Sequence, residues 1–209
     1  MSDELASDDS GDIGVDGGDR RSGERYRSVW RIAKITRADD VGLWRVRNIS
    51  SRGMMLATDV AVEVGEDLHI ELSETVIMDG KIVWAKDGRC GVAFSAAIDV
   101  SAVLKALADE QRDQGYRQLR LPFEHEAELY VDGETLLIQL SNISQSGVGF
   151  TFDGTLEVGK PLGLMMPDQV RRTAVVRWIR GNQGGLWLTE PLGRADLESV
   201  RQFEQRIGE

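Results

Sequence analysis

A group of arginines near the start of the chain has the spacing of an anion clamp. Arg21 and Arg25 are four residues apart, and Arg20 lies directly beside the first of them. The guanidinium group is a planar fork of donors that pairs with two acceptors at once, on a phosphate or on the O6 and N7 edge of guanine. It also stacks on aromatic rings. This segment therefore suits a ligand that combines phosphate with a planar base.

A second polar motif lies where a predicted strand ends, in the segment NISSRG at residues 48–53. Asn48 and Ser50 are two residues apart, so on a strand their amide and hydroxyl groups point to the same face. Gly53 suits either a turn with positive φ or a close approach of the backbone to another group. An arginine-bearing segment beside such a polar face is suited to a guanine-containing phosphodiester.

The second motif occurs twice in the chain. The segment NISQSG at residues 142–147 repeats NISSRG at a distance of 94 residues. Five landmarks at one offset, with no insertion, indicate duplicated domains rather than a solenoid, whose units are shorter and more numerous. Besides the motif, the shift relates Glu63-Val64-Gly65 to Glu157-Val158-Gly159, Leu68 to Leu162, Trp84 to Trp178 and Gly91 to Gly185.

Each copy is predicted to be antiparallel β structure. Short runs with alternating or β-rich composition are separated by Gly, Asp and Ser turns. Many short strands at regular spacing favour a small barrel or sandwich. The predicted strands lie at 43–50, 53–58, 67–73, 81–87 and 90–95 in the first copy, and at 127–133, 135–144, 147–153, 174–180 and 185–190 in the second.

Both copies are predicted to end in a helix. Apolar residues fall at helical spacing between Val100 and Leu107, with Asp99 or Ser101 as the N-cap. The first helix continues toward residue 115 and is expected to bridge the two domains. The corresponding apolar positions of a charged helix near the end of the chain are Leu197, Val200 and Ile207.

We therefore expect a mainly β protein, made of two consecutive small antiparallel β-barrels that are each followed by an α-helix. Residues 1–19 contain seven acidic residues and no basic one, so this Gly- and Ser-rich leader is expected to be disordered. The first domain is placed at residues 20–114, including the linker helix, and the second at residues 115–209.

The composition narrows the classes of function. The net charge of −10 argues against general nucleic-acid binding, which draws affinity from neutralised phosphates. Cys90 is the only cysteine, and His69 and His125 are the only histidines, so no disulfide and no metal site built from cysteine or histidine clusters is expected. Without a signal peptide or an apolar run of roughly 20 residues, we expect a cytoplasmic protein that does not insert into membranes.

The arginine pair, followed about two dozen residues later by NxSxxG on a β-barrel, resembles the PilZ domain, the bacterial receptor module for cyclic di-GMP. The resemblance covers residues 20–110 and again 116–209. It implies a closed antiparallel barrel with a C-terminal helix, which agrees with the strands and helices predicted independently above.

The resemblance also implies the roles of the first copy's residues. Arg21 and Arg25 would wrap over the ligand and contact guanine and phosphate, with Arg20 supplementing the pair. The residues that would line the barrel surface against a guanine are Asn48, Ser50 and Gly53. Arg27 is a further candidate, although the position four residues ahead of it is Gly23.

The second copy departs from the family pattern. Its upstream arginines, Arg117 and Arg120, are three residues apart, so one member of the pair falls on Tyr116 or Leu121. A missing guanidinium removes a contact of about 1.5–3 kcal/mol, which is at least tenfold in affinity. We expect this copy to be structural or to dock a partner. The alternative is a weak second site formed by Arg117, Arg120, Asn142, Ser144 and Gly147.

The tryptophans on the predicted strands, Trp44, Trp84 and Trp178, are expected to pack in the core, with stacking on a ligand as the alternative for the last two.

Two functions fit the chain. One is a non-catalytic receptor for cyclic di-GMP, and the other is a PilZ-fold adaptor that binds proteins and not the nucleotide. In either case we expect a protein partner in motility, adhesion or polysaccharide regulation, and no DNA or RNA. No nucleophile–base arrangement, P-loop or metal cluster supports an enzyme or a cofactor.

Overall fold

The structure, a computed structural model, describes residues 31–114 and 118–207. The predicted ligand-binding residues Arg20, Arg21, Arg25 and Arg117 lie outside the described residues, as do Arg27 and the acidic leader. Within the described part of the chain, no helix is long and apolar enough to cross a membrane.

The described residues form two closed antiparallel barrels of six strands each, which confirms the predicted fold class. The first barrel has the strand order β1-β2-β3-β6-β5-β4 and is followed by helix α1. Its elements are β1 (Arg31–Arg37), β2 (Asp40–Ser50), β3 (Gly53–Ala57), β4 (Asp67–Glu71), β5 (Ile77–Lys86), β6 (Arg89–Phe94) and α1 (Val100–Gln114).

The second barrel has the order β10-β11-β12-β9-β8-β7, and its strands recur at the same 94-residue shift. Strands β2, β4, β5 and β6 map onto β8, β10, β11 and β12 without an offset at either end. The elements are β7 (Leu121–Val131), β8 (Glu134–Ser144), β9 (Gly147–Phe152), β10 (Pro161–Met165), β11 (Arg171–Arg180), β12 (Gln183–Leu188), α2 (Arg194–Leu197) and α3 (Val200–Ile207).

Five strands are interrupted by a register shift of one residue, and in β2, β5, β8 and β11 this shift changes which side chains face outward. In β2 the inward residues Val46 and Ile49 are three positions apart, because Asn48 and not Arg47 pairs with Met55. Strand β8 has the same shift before Asn142. A β-bulge inserts one extra residue in this way, bending the strand and re-aiming the side chains that follow.

The prediction that Trp84 and Trp178 lie in the core is wrong, because the same shift occurs in β5 and β11. Strict alternation from the buried Ile82 would place Trp84 inside the barrel. The bulge between these two residues turns the indole outward instead, and Trp84 and Trp178 are 40% and 38% exposed. Trp44, on the unshifted part of β2, is buried as predicted.

The helices differ between the two copies. Helix α1 buries Val100 and Leu107 against the first core, and Asp99 Oδ1 accepts a hydrogen bond from Ala102 N at 3.0 Å, so Asp99 is the N-cap. The single helix expected at the end of the second copy is instead two helices separated at Glu198 and Ser199. Leu197, Val200 and Phe203 are buried in the second core, with Ile207 packed against it.

The break between α2 and α3 is where the two barrels join. Glu198 is buried, and its Oε2 accepts hydrogen bonds from Thr58 Oγ1 and from the backbone N–H of Asp59. Its backbone carbonyl accepts from Trp44 Nε1 at 2.8 Å. Arg194 Nε forms an ion pair with Glu198 Oε1 at 2.8 Å.

Strand β2 supplies the rest of this interface from the first barrel. A side chain at Gly42 would place its Cβ 1.9 Å from the carbonyl oxygen of Glu198, so the close approach requires glycine. Leu43 packs in the core of the second domain rather than in that of its own barrel. Ser199 Oγ donates to Asp40 Oδ2 at 2.7 Å. The two barrels are therefore held together by buried contacts and not only by the linker.

Replacing Glu198 with Ala should destabilise the protein by about 2–3 kcal/mol, because the buried hydroxyl of Thr58 and the partly buried N–H of Asp59 lose their acceptor. Urea denaturation measures the free energy of unfolding. The control is Glu190→Ala, which removes an exposed carboxylate of the same domain and should change that free energy by less than about 0.5 kcal/mol. Equal effects of the two substitutions would contradict the assigned role of Glu198.

Candidate functional site

The predicted site residues of the first copy line one recess on the outside of the first barrel. Asn48, Ser50 and Gly53 lie together at the junction of β2 and β3, beside the outward surface of β5 and β6. The cavity has a volume of about 330 Å³. We call it the first-barrel recess; it is lined by Asn48, Ser50, Arg52, Gly53, Met54, Met55, Val83, Trp84, Gly91, Val92 and Ala93.

The floor of the recess follows from strand pairing. Asn48 lies opposite Met55 on β3, Met55 lies opposite Gly91 on β6, and Gly91 lies opposite Trp84 on β5. A Cβ at Gly91 would meet Trp84 Nε1 at 1.9 Å, so the indole rests directly on the glycine backbone. The recess thus combines an amide group at one side with an aromatic ring at the other.

Ser50 and Gly53 close the turn between β2 and β3. Ser50 Oγ donates to the carbonyl oxygen of Gly53 at 3.0 Å, so the hydroxyl proton is held by the turn while the oxygen lone pairs can still accept. Gly53 is not among the glycines with positive φ. A Cβ there would lie 2.1 Å from the carbonyl oxygen of Val92, so its role is the close approach of β3 to β6.

Basic residues lie on both sides of the recess. One strand row beyond Asn48, Arg45 pairs with Ala57, Ala57 with Arg89, and Arg89 with Lys86. On the other side, Lys81 pairs with Ala93 and forms an ion pair with Asp67 at 2.8 Å. Asp67 offsets the charge of Lys81, so it is the row of Arg45, Arg89 and Lys86 that makes one side of the recess locally basic in a chain whose net charge is −10. A basic edge favours an anionic ligand.

Two of these features were not predicted as site residues from the sequence. The sequence predicts Trp84 in the core, with stacking on a ligand as the alternative, and does not identify the basic row of Arg45, Arg89 and Lys86. The sequence does contain a signal that Trp84 has more than a packing role: Trp84 and Gly91 recur together, 94 residues later, as Trp178 and Gly185. The basic row crosses three strands, so it becomes apparent only from the pairing register.

The second copy brings together Arg120, Asn142, Ser144 and Gly147. The guanidinium of Arg120 donates to Asn142 Oδ1, and Ser144 Oγ donates to the carbonyl oxygen of Gly147 at 3.1 Å. Ser144 is only 2% exposed, whereas Ser50 is half-buried. Trp187 pairs directly with Gly147, at the position that Ala93 occupies opposite Gly53. The serine of the second motif therefore serves the turn, and its hydroxyl is closed to solvent.

The second motif faces a larger cavity between the two barrels, of about 890 Å³. We call it the interdomain cleft; its first-barrel wall includes Arg31, Lys34 and Glu110. Hydrogen bonds from the hydroxyls of Thr75 and Ser73, together with the charge of Arg31, hold the pKa of Glu110 below its ordinary value. Glu110 is therefore an anion at neutral pH.

The cysteine and the two histidines of the chain are not placed as a reactive site. Burial, with the Glu66 carboxylate adding to its effect, raises the pKa of Cys90 to about 11, so the thiol stays protonated at neutral pH. His69 Nδ1 lies 2.6 Å from Asp79, and His125 Nε2 lies 3.1 Å from Glu204. In the part of the chain that the structure describes, no cluster of three or more His, Cys, Asp or Glu side chains could hold a metal ion.

The repeated closed barrel, with an NxSxxG segment at the end of its second strand, defines the protein as a tandem of two small β-barrel domains of one type. The family model of the PilZ domain matches residues 19–109 and again residues 111–203. The chain therefore belongs to the PilZ family and carries two PilZ domains in tandem.

Solved structures to which the chain is similar include the PlzA protein of Borreliella burgdorferi in complex with cyclic di-GMP, which is 10% identical, with 86% of each chain covered and a TM-score of 0.34. The inhibitor of motility MotI/DgrA of Bacillus subtilis is 13% identical over 85% of this chain and 96% of that one, with a TM-score of 0.36. YcgR of Escherichia coli, in complex with cyclic di-GMP, is 12% identical over 84% and 81%, with a TM-score of 0.29. No curated protein sequence matches the chain.

Replacing the motif serine with Ala should have unequal effects in the two domains. Ser144→Ala leaves a buried carbonyl without its donor, so we expect it to cost about 1–2 kcal/mol more in unfolding free energy than Ser50→Ala, where water can reach the turn. Urea denaturation of the two single variants measures this difference. Equal losses of unfolding free energy, or a larger loss for Ser50→Ala, would show that burial does not distinguish the two turns.

Proposed function

We propose that the protein is a non-catalytic receptor for cyclic di-GMP and that the first-barrel recess is its ligand site. The observation that carries this proposal is the register of the first two strands. Arg31, the first residue of β1, pairs with Val46 on β2. Because the strands are antiparallel, the chain enters the barrel from the end of β2 that carries Asn48 and Ser50. Arg25 lies only six residues before that point of entry.

The chemistry of the recess matches the parts of the ligand. The Asn48 amide offers both a donor and an acceptor to the edge of a guanine. The half-exposed indole of Trp84 offers a surface on which a base can stack. Arg21 and Arg25 would supply charge-assisted contacts to phosphate and to guanine O6 and N7, with Arg20 adjacent. This division of roles follows the one implied by the family resemblance.

The second barrel is assigned a structural role in this proposal. Its serine hydroxyl is buried, and its asparagine oxygen already accepts from Arg120. The weak second site for the same ligand, formed by Arg117, Arg120, Asn142, Ser144 and Gly147, is the competing hypothesis. We further propose that the receptor acts in the cytoplasm on a protein partner in motility, adhesion or polysaccharide regulation, without binding DNA or RNA.

Calorimetry with cyclic di-GMP tests which domain binds. We expect Arg21→Ala/Arg25→Ala to weaken binding at least a hundredfold, because two charge-assisted contacts of about 1.5–3 kcal/mol each are lost. The matched change in the other domain, Arg117→Ala/Arg120→Ala, should leave the affinity within about twofold.

Two results would contradict the proposal. Binding that survives the first double substitution and disappears with the second would place the receptor site in the second barrel. A wild-type chain that does not bind cyclic di-GMP would favour the protein-binding adaptor instead.

Trp84 should contribute by stacking. Trp84→Ala is expected to weaken cyclic di-GMP binding roughly tenfold, since stacking of a base on an aromatic side chain contributes about 1–3 kcal/mol. Trp84→Phe should retain most of the affinity. The control Ile77→Ala removes an exposed apolar side chain of the same strand outside the recess and should have no effect. Unchanged affinity in Trp84→Ala would exclude the indole from the site.

A further inference from the structure

The described part of the chain begins on the wall of the interdomain cleft. Arg31, the first residue that the structure describes, lines this cavity. The acidic leader, residues 1–19, is therefore tethered beside the cleft. Asp16 lies 15 residues before Arg31, and an extended chain of that length spans up to about 50 Å. A cavity of about 890 Å³ is thus within reach of the leader.

The side chains of the leader and of the cleft carry opposite charge. The leader has seven acidic residues and no basic one, so it accounts for most of the chain's net charge of −10. The lining of the cleft contains only three acidic residues and five basic ones, which are Arg31, Lys34, Arg120, Arg177 and Arg180. A cavity lined by an excess of one charge concentrates the opposite one. The cleft therefore favours an anionic occupant, and the leader supplies one from the same chain.

Two cations of the cleft, Arg177 and Arg180 on strand β11, have no carboxylate partner among the described residues. The ion pairs of that part of the chain include neither of them, and both residues are exposed. Arg177 faces outward because it is the extra residue of the bulge in β11. The 94-residue shift maps it onto Val83, so this guanidinium is peculiar to the second barrel.

Trp187 adds an apolar surface to the same wall of the cleft. It is 43% exposed, whereas the 94-residue shift maps it onto the small Ala93. The leader contains the segment DIGVD at residues 12–16, which combines two carboxylates with the aliphatic side chains of Ile13 and Val15. Carboxylates pair with guanidinium groups through two hydrogen bonds, and aliphatic groups pack on an exposed indole. Residues 12–16 therefore match the chemistry of this wall.

We propose that the acidic leader docks in the interdomain cleft through residues 12–16. The two carboxylates of this segment pair with Arg177 and Arg180, and its aliphatic side chains pack on Trp187. Because the leader is tethered beside the cleft, its effective concentration there is on the order of mM, so contacts that are individually weak suffice.

This docking site is distinct from the second copy of the NxSxxG motif. Ser144 is buried, and the oxygen of Asn142 already accepts a hydrogen bond from Arg120. The leader instead uses Arg177 and Trp187, which replace small apolar residues of the first barrel. The occupant of the cleft is accordingly a segment of the chain and not a nucleotide.

Docking has a consequence for the first-barrel recess, and this consequence rests on the proposed function. Arg21 and Arg25 lie between the leader and Arg31. A leader held in the cleft restrains these two arginines, which are assigned to cyclic di-GMP. The nucleotide and the cleft therefore compete for one stretch of chain, and the leader acts as an internal inhibitor.

A spin label in the leader tests the docking in the full chain without any ligand. Ser10→Cys introduces the labelling site, while Cys90 stays unlabelled because it is buried and its thiol remains protonated. A nitroxide broadens the NMR signals of nearby protons. At low salt we expect the indole N–H signal of Trp187 to lose most of its intensity relative to that of Trp84. At 1 M salt, where the Debye length is about 3 Å, the signal should return.

Paired charge variants locate the docking site. Arg177→Gln/Arg180→Gln should restore the Trp187 signal at low salt. The matched control Lys86→Gln/Arg89→Gln removes two exposed cations from the first barrel and should leave the signal broadened. The proposal is overturned if Trp187 is not broadened, if its broadening survives 1 M salt or Arg177→Gln/Arg180→Gln, or if the control variant restores the signal.

Cyclic di-GMP separates the docking from its consequence. Where calorimetry shows that the complex forms, the Trp187 signal of the spin-labelled chain should recover as the nucleotide is added. A complex in which Trp187 stays broadened would refute the competition. If no complex forms, the proposed receptor function has failed, while the ligand-free comparison still decides whether the leader docks.

Discussion

The β-bulge is the constraint on which both candidate sites depend. A regular strand alternates its side chains between core and solvent, so a residue two positions after an inward one also points into the core. One extra residue in β2 turns Asn48 outward while Ile49 returns to the core, and the extra residue in β5 turns Trp84 outward. Both bulges recur in the second barrel, so the duplicated barrel carries its potential binding surface as part of the fold.

The two copies have used this shared surface differently. In the first, Ala93 leaves the glycine of the motif open and basic residues flank the recess. In the second, Trp187 stands opposite the corresponding glycine and the serine is buried. Glu198, buried between the domains, holds the first barrel against α2 and α3, and the second motif consequently faces a cleft with walls from both domains. The repeat therefore preserves a scaffold whose two equivalent surfaces expose different residues.

Local patterns in the sequence predicted the duplication, the barrel class and the grouping of Asn48, Ser50 and Gly53. Two strands were missed: β1 has only Ala33 and Ile35 as buried residues among basic neighbours, and β10 is short and contains Pro161 and Gly163. The outward indole of Trp84 could not be predicted, because a period of two does not anticipate a bulge. The break at Glu198 depends on partners about 140 residues away, so no local pattern encodes it.

The central claim is that the first-barrel recess, and not its counterpart, receives cyclic di-GMP. Amide and indole NMR signals of the full chain, followed during a titration with cyclic di-GMP, test this most directly, since each copy has one motif asparagine and one outward tryptophan at the equivalent position. We predict that the largest shifts belong to the Asn48 side-chain amide and the Trp84 indole N–H. Larger shifts at Asn142 and Trp178, with those two signals unchanged, would contradict the account.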